Sequence, residues 1–160
     1  MTGVQTCALP ICGTLDLQNV TYSTTEALTV NGGTIKTSTG TSSFAGTISL
    51  TNDSTVDVGG TQLTLSGIIS STSTYSLTKT SSGILILSGA NTYSGGTIIK
   101  NGTITAGSAA ANALGTGTIT LGDSAGGSNN ASLLISITGL TYSNAIALAS
   151  TTTGTLTLGN

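Results

Sequence analysis

A three-residue phrase, glycine then threonine then an aliphatic residue, recurs along this chain. It stands at Gly13-Thr14-Leu15, Gly33-Thr34-Ile35, Gly46-Thr47-Ile48, Gly96-Thr97-Ile98, Gly102-Thr103-Ile104, Gly117-Thr118-Ile119 and Gly154-Thr155-Leu156. Glycine turns a corner, threonine faces out and the aliphatic side chain faces in, so each phrase reads as the start of a short strand. Further alternating runs give strands at Leu28–Val30, Ser49-Leu50, Thr55–Val58, Gln62–Leu65, Tyr75–Thr78, Gly83–Leu87, Gly96–Lys100, Thr103–Thr105, Ser132–Ile137, Asn144–Ala149 and Leu156–Leu158. Only Ala106–Leu114 is alanine-rich enough to suggest helix, and between Gly107 and Gly115 it has room for little more than one turn, so a bulging loop is an equal reading. Gly122–Asn130 reads as a long polar turn.

Many short strands with glycine and asparagine corners leave two architectures. In a sandwich, Asn101-Gly102 would form a type I′ hairpin. A right-handed parallel β-helix, a single-chain β-solenoid, fits better, because stacked rungs bury apolar residues that no rung buries alone. At about 20–25 residues per rung, residues 13–160 give roughly six or seven rungs and a stack about 30 Å long. The intervals between phrases are irregular, so the solenoid is degenerate. It is expected to be incomplete at both ends, an interior fragment of a longer protein.

Composition excludes whole classes of function. The chain has five acids, three lysines, no arginine and no histidine, for a net charge of −2. Nucleic-acid binding needs clustered cations, and aromatic stacking platforms are also scarce. Thr, Ser and Gly make up about half the chain, yet its mean hydropathy is +0.34 and its Ile, Leu and Val alternate, which separates it from a flexible linker. No apolar run approaches the length of a membrane helix. No signal peptide is visible, and one is expected in the full-length protein.

Residues 77–104, LTKTSSGILILSGANTYSGGTIIKNGTI, resemble the autotransporter-associated β-strand repeat, also called the passenger-associated transport repeat, of bacterial type V secretion. The resemblance runs through Leu77-Thr78-Lys79-Thr80, Leu87 to Thr97 and Asn101-Gly102-Thr103. It departs at Ser81-Ser82, where the family usually has a glycine, and at Ile84 and Ile86, where it usually has threonine. The resemblance implies a β-helix that forms the structural stalk of a secreted adhesin passenger and assists export and folding. It implies, as partner, a C-terminal outer-membrane β-barrel translocator that is not in this sequence. It places the protein outside the cell or at its surface, anchored through that barrel. A host or surface glycan ligand is left open.

Residues 1–12, MTGVQTCALPIC, hold the only Met, the only Pro and both Cys. They resemble translated sequencing-adapter sequence and are expected to be a non-native leader, not packed on the β-helix of residues 13–160. Cys7 and Cys12 lack the further Cys or His ligands a zinc site needs.

The inventory for chemistry is thin, and no catalytic, cofactor-binding or metal-ligating residue is assigned. A polysaccharide lyase-like β-helix would need paired carboxylates and a basic residue. Asp16, Glu26, Asp53, Asp57 and Asp123 are scattered; Asp57 alternates with Val56 and Val58 and should point outward. Asp53 and Asp57 with Asn52 are at most a weak calcium site. Lys79 and Lys100 are expected to point outward, their stems covering apolar surface. Tyr93 should pack over a rung and Asn91 should bond corner backbone. The sequons at Asn19, Asn52, Asn101 and Asn130 carry little weight in a chain so rich in Ser and Thr. A binding module is the alternative function: the pairs Thr103/Thr105, Thr118/Thr120 and Thr155/Thr157 would form a flat hydroxyl array for ice or carbohydrate if they stacked. An enzyme is the weakest reading.

Overall fold

The computed structural model describes residues 10–107 and 112–160. The chain winds through three faces per turn. The first rung is β1 (Thr14–Asp16), β2 (Thr21–Tyr22) and β3 (Leu28–Val30); the second is β4 (Thr34–Thr37), β5 (Thr41–Phe44) and β6 (Ile48–Leu50). The third is β7 (Ser54–Val58), β8 (Gln62–Leu65) and β9 (Ile69–Ser71). From there each rung has two strands: β10 (Leu77–Thr80) and β11 (Ile84–Leu87), β12 (Thr97–Ile99) and β13 (Gly102–Ala106), β14 (Ile119–Leu121) and β15 (Ala131–Ile135), β16 (Ile146–Leu148) and β17 (Leu156–Gly159). Two seven-stranded sheets, β1-β4-β7-β10-β12-β14-β16 and β2-β5-β8-β11-β13-β15-β17, and one three-stranded sheet, β3-β6-β9, result. Every pair is parallel, and no helix occurs among the described residues. The fold is a parallel β-solenoid of about six turns, as the sequence implied.

Alternation explains the packing. Along β7, Ser54, Val56 and Val58 point in while Thr55 and Asp57 point out. Inward residues stack into columns, such as Leu63, Leu85, Ile104 and Leu133 in the second sheet, each at most 1% exposed. Each such side chain contributes about 1.5–3 kcal/mol of burial, and only because a rung above and a rung below cover it. Leu85 is inside and Ile84 outside, which settles the register of that strand. One ladder step spans about 20–23 residues from Thr14 through Thr34, Thr55 and Thr78 to Ile98. It lengthens to 29 between Thr103 and Ser132, where the polar turn at residues 122–130 is inserted.

The recurring glycine has a steric cause at one corner. Gly46, Gly67 and Gly89 stack there, and a Cβ on Gly67 or Gly89 would collide with the carbonyl of the glycine one rung before it. Asn101-Gly102 is not a hairpin turn but the corner between the first and second sheets, with Gly102 at φ 76°.

Three strands escape apolar pattern reading. β5 has inward Ser42, which donates to the Leu17 carbonyl at 2.7 Å and contacts Thr37 Oγ1 at 3.0 Å. β2 is two residues long and β9 reads Ile-Ser-Ser. The expected strand at Tyr75–Thr78 lies two residues later, at β10. The expectation for residues 1–12 falls outside the described residues up to position 9, but Ile11 pairs with Val30 and accepts from the Asn31 amide at 2.9 Å. Packing on the solenoid therefore begins before residue 13. Of Ala106–Leu114, residues 108–111 lie outside the described residues; Ala106 ends β13 and 112–114 form a turn.

Candidate functional site

The unusual chemistry of this chain is inside it. Buried polar side chains concentrate at residues 79–97, where Lys79, Asn91 and Thr97 are each 0% exposed beside fully buried Tyr93. Lys79 corrects the expectation of an outward lysine. It follows Leu77 by two residues on β10, so the same alternation that buries Leu77 buries Lys79. Register places it between Val56 and Ile99 in an otherwise aliphatic column.

A buried ammonium must spend all three of its donors. Lys79 Nζ donates to the carbonyls of Thr80 (2.6 Å), Ser81 (2.6 Å) and Asn101 (3.1 Å). The first two belong to its own corner and the third to the next rung. Ser81 takes φ 60°, a left-handed conformation that favours glycine. Burial pulls the Lys79 pKa down to about 8, with Asp57 opposing.

Asn91 bonds backbone, as expected, and does so on both sides. Its Oδ1 accepts from the Ile69 amide at 2.8 Å, and its Nδ2 donates to the Ala113 carbonyl. The Thr92 amide donates to the Ile69 carbonyl at 2.8 Å. The carboxamide thus stands in for a peptide group on the face where the third sheet has run out of strands, and Ile69 at its edge is satisfied. Tyr93 packs within the rung, its hydroxyl 2.7 Å from Thr97 Oγ1, which in turn donates to the Leu114 carbonyl at 3.0 Å. With Thr97 donating onward, the tyrosine donates to Thr97. Burial pushes the Tyr93 phenol up from its ordinary value. Together these side chains tie one turn of the solenoid to the turns before and after it.

The acids are dispersed on the outside. Asp16, Lys36 and Asp57 form one outward column, and Lys36 Nζ lies 3.5 Å from Asp57 Oδ2. The cation separates the two carboxylates, which stand two ladder steps, or roughly 10 Å, apart. Hydrogen bonds from Gln18 and Ser38 hold Asp16 below the ordinary carboxylate range, the opposite of what a general acid needs. Glu26 accepts from Tyr22, which stacks on Phe44. Asp53 accepts from the Ser76 amide at 2.8 Å and its hydroxyl at 3.0 Å, and Asn52 Oδ1 takes the Asp53 amide, so this pair is engaged with its own corner and with the one a rung on. Lys100 points outward as expected and pairs with Asp123 at 3.2 Å; the Ala125 amide, more than that lysine, lowers the Asp123 pKa. Sequence spacing concealed the pairs Lys36–Asp57, Lys100–Asp123 and Ser76–Asp53 because their members sit one rung apart. Among the described residues no group of three or more acid, histidine or cysteine side chains is placed to hold a metal ion. The Thr-x-Thr pairs do not stack on one another: Thr103 and Thr105 lie between Ile84 and Ile86 on one side and Ser132 and Leu134 on the other.

No curated protein and no solved structure matches the chain. The stretch that contains the buried polar frame does match a family model: residues 77–106 match the passenger-associated-transport-repeat, a span two residues longer than the sequence suggested.

Proposed function

We propose that this solenoid is the structural stalk of a secreted autotransporter passenger, and that the repeat at residues 77–106 assists export and folding at the cell surface. The family match implies a passenger repeat in a secreted or surface-exposed protein. The observation that carries the finer reading is the two-sided bonding of the frame. Asn91 reaches a rung back to Ile69 and a rung on to Ala113, and Lys79 reaches on to Asn101. Solenoid stability is a sum of rung and nearest-neighbour terms, so a turn that bonds both neighbours is a place where stacking starts and from which it spreads. For a chain emerging segment by segment, folding of that kind draws it outward and keeps it from slipping back. The role is non-catalytic, with every polar group of the frame committed to backbone or to another member of the frame. The partner in this reading is an outer-membrane β-barrel translocator at the C-terminal side of the full-length protein.

The test is export from a Gram-negative cell of the chain fused to such a barrel, read by surface accessibility and by a protease-resistant folded core. The intact chain should be displayed and resistant. Asn91→Leu should lower both. Equal display and resistance after deletion of residues 77–106 would sink the proposal.

A further inference from the structure

The corner between the first and second sheets is short through the first five rungs. Between β12 and β13 it takes only Lys100 and Asn101, whereas between β14 and β15 it takes residues 122–130. This inserted turn is held from both sides. From the rung before, Lys100 reaches Asp123 at 3.2 Å and the Gly102 amide donates to the Asn130 carbonyl at 2.9 Å. From the rung after, Thr151 Oγ1 donates to the Ser124 carbonyl at 2.9 Å, the Thr153 amide to the Gly127 carbonyl at 2.8 Å and the Thr155 amide to Asn130 Oδ1 at 2.8 Å. A polar turn of this length without such ties would be among the first parts of the molecule to open. With them it is a fixed wall.

The wall bounds a cleft of about 420 Å³ on the side of the solenoid. The floor is Ser82, Asn101, Thr103 and Ser132, and the wall brings Ser128 and Asn129. Register builds the floor from three successive rungs: Ile84 pairs with Thr103 and Thr103 with Ser132, which sets Ser82 beside Asn101. In the same sheet β8 lies before these rungs and β17 after them. The bonds that fix the floor run through its backbone, from the Asn101 carbonyl to Lys79 and from the Gly102 amide to Asn130. The carboxamides of Asn101 and Asn129 and four hydroxyls are left to line the cleft.

Hydroxyls and carboxamides each donate and accept. No charged or aromatic side chain lines the cleft, and no aliphatic group larger than the Thr103 methyl. Lys79 lies beneath the floor with its three donors spent, and Lys100 is paired with Asp123. A carboxylate or phosphate therefore meets no available cation in this cleft, a metal ion no carboxylate, and an apolar side chain no apolar wall. A ligand whose polar groups each give and take a hydrogen bond meets a partner at every wall.

We propose that this cleft binds a neutral sugar unit of a glycan, through Asn101, Asn129 and the flanking hydroxyls. Its volume falls within the range of about 300–1,000 Å³ usual for small-molecule sites. With no ring to stack on, a single cleft binds weakly, with a Kd of about 1 mM. The site does not depend on the export role, so the two proposals fail separately.

The test is an NMR titration of the isotope-labelled 160-residue chain with glucose, galactose, mannose and N-acetylglucosamine. Glucuronate, phosphorylated glucose and glycerol are the controls. At least one neutral sugar should give saturable shifts confined to the side-chain amides of Asn101 and Asn129 and to the backbone around Ser82, Thr103 and Ser132. Asn101→Ala and Asn129→Ala should each weaken binding about fivefold or more, the loss of a neutral hydrogen bond. The backbone carbonyl that holds Lys79 survives in Asn101→Ala, and unshifted core signals would show that the variant folds. Asn52→Ala, at a corner on another face, should change nothing. No saturable shift with any of these neutral sugars overturns the proposal. Equal binding of glycerol overturns it too, as does tighter binding of either acidic compound or undiminished affinity in both cleft variants.

Discussion

The rung of β10 and β11 and the rungs of β14 to β17 are built from the same alternation, yet they differ in what surrounds their tyrosines. Around Tyr93, every buried polar group has a partner, drawn from the rung before or the rung after. Around Tyr142, the hydroxyl has none and Ile146, Leu148 and Leu158 are open to solvent. Apolar alternation stacks the rungs of both regions, and the polar frame around Asn91, Tyr93 and Thr97 adds bonds to the rung on either side. Such a frame is costly when incomplete, because each buried group without a partner loses its hydration for nothing.

The comparison can be broken most directly at the core. Leu85→Asp should cost about 4 kcal/mol or more, since it buries a carboxylate in a fully covered column. Leu158→Asp should cost under about 1 kcal/mol at its exposed position. Urea midpoints followed by circular dichroism would decide, and equal shifts would mean the two regions are not different in kind. Asn91→Leu should follow in size, at about 2–4 kcal/mol, because it strands the Ile69 amide and the Ala113 carbonyl. Leu140→Asn, two residues before Tyr142 as Asn91 is before Tyr93, should stay within about 0.5 kcal/mol, measured the same way.

Lys79 sharpens the contrast through pH. Its pKa is about 8 when folded and 10.5 in the unfolded chain, so between those values the unfolded state holds more protons and stability rises with pH. The rise should amount to about 1–2 kcal/mol from pH 8 to 10. Above pH 10 the raised Tyr93 phenol reverses the slope, as the unfolded chain loses that proton first. Lys79→Met should flatten the rise between pH 8 and 10; an unchanged slope would show that another group carries it. A smaller effect than that of Lys79 belongs to Ser81→Gly, which relieves a left-handed serine and should stabilise by about 0.5–1 kcal/mol. No gain in the urea midpoint would show that the cage of carbonyls around Lys79 compensates the strain.

Much of this protein is written in local pattern. Alternating short runs with glycine corners specify stacked parallel strands, because a strand's side chains have a period of two and a glycine is needed where one corner lies on the next. The match of residues 77–106 to a repeat family is legible in the same linear way. Even the burial of Lys79 was legible two residues after Leu77, had alternation been weighed above the usual preference of lysine for water. Other features had no linear signal. β5 is a strand because inward Ser42 finds the Leu17 carbonyl, and Lys36 meets Asp57, Lys100 meets Asp123 and Asn91 meets both Ile69 and Ala113 only after the chain has closed a full turn. Which polar groups around Tyr93 are satisfied was decided by stacking, because hydrogen bonds depend on distance in space and a rung brings together residues some 20 positions apart.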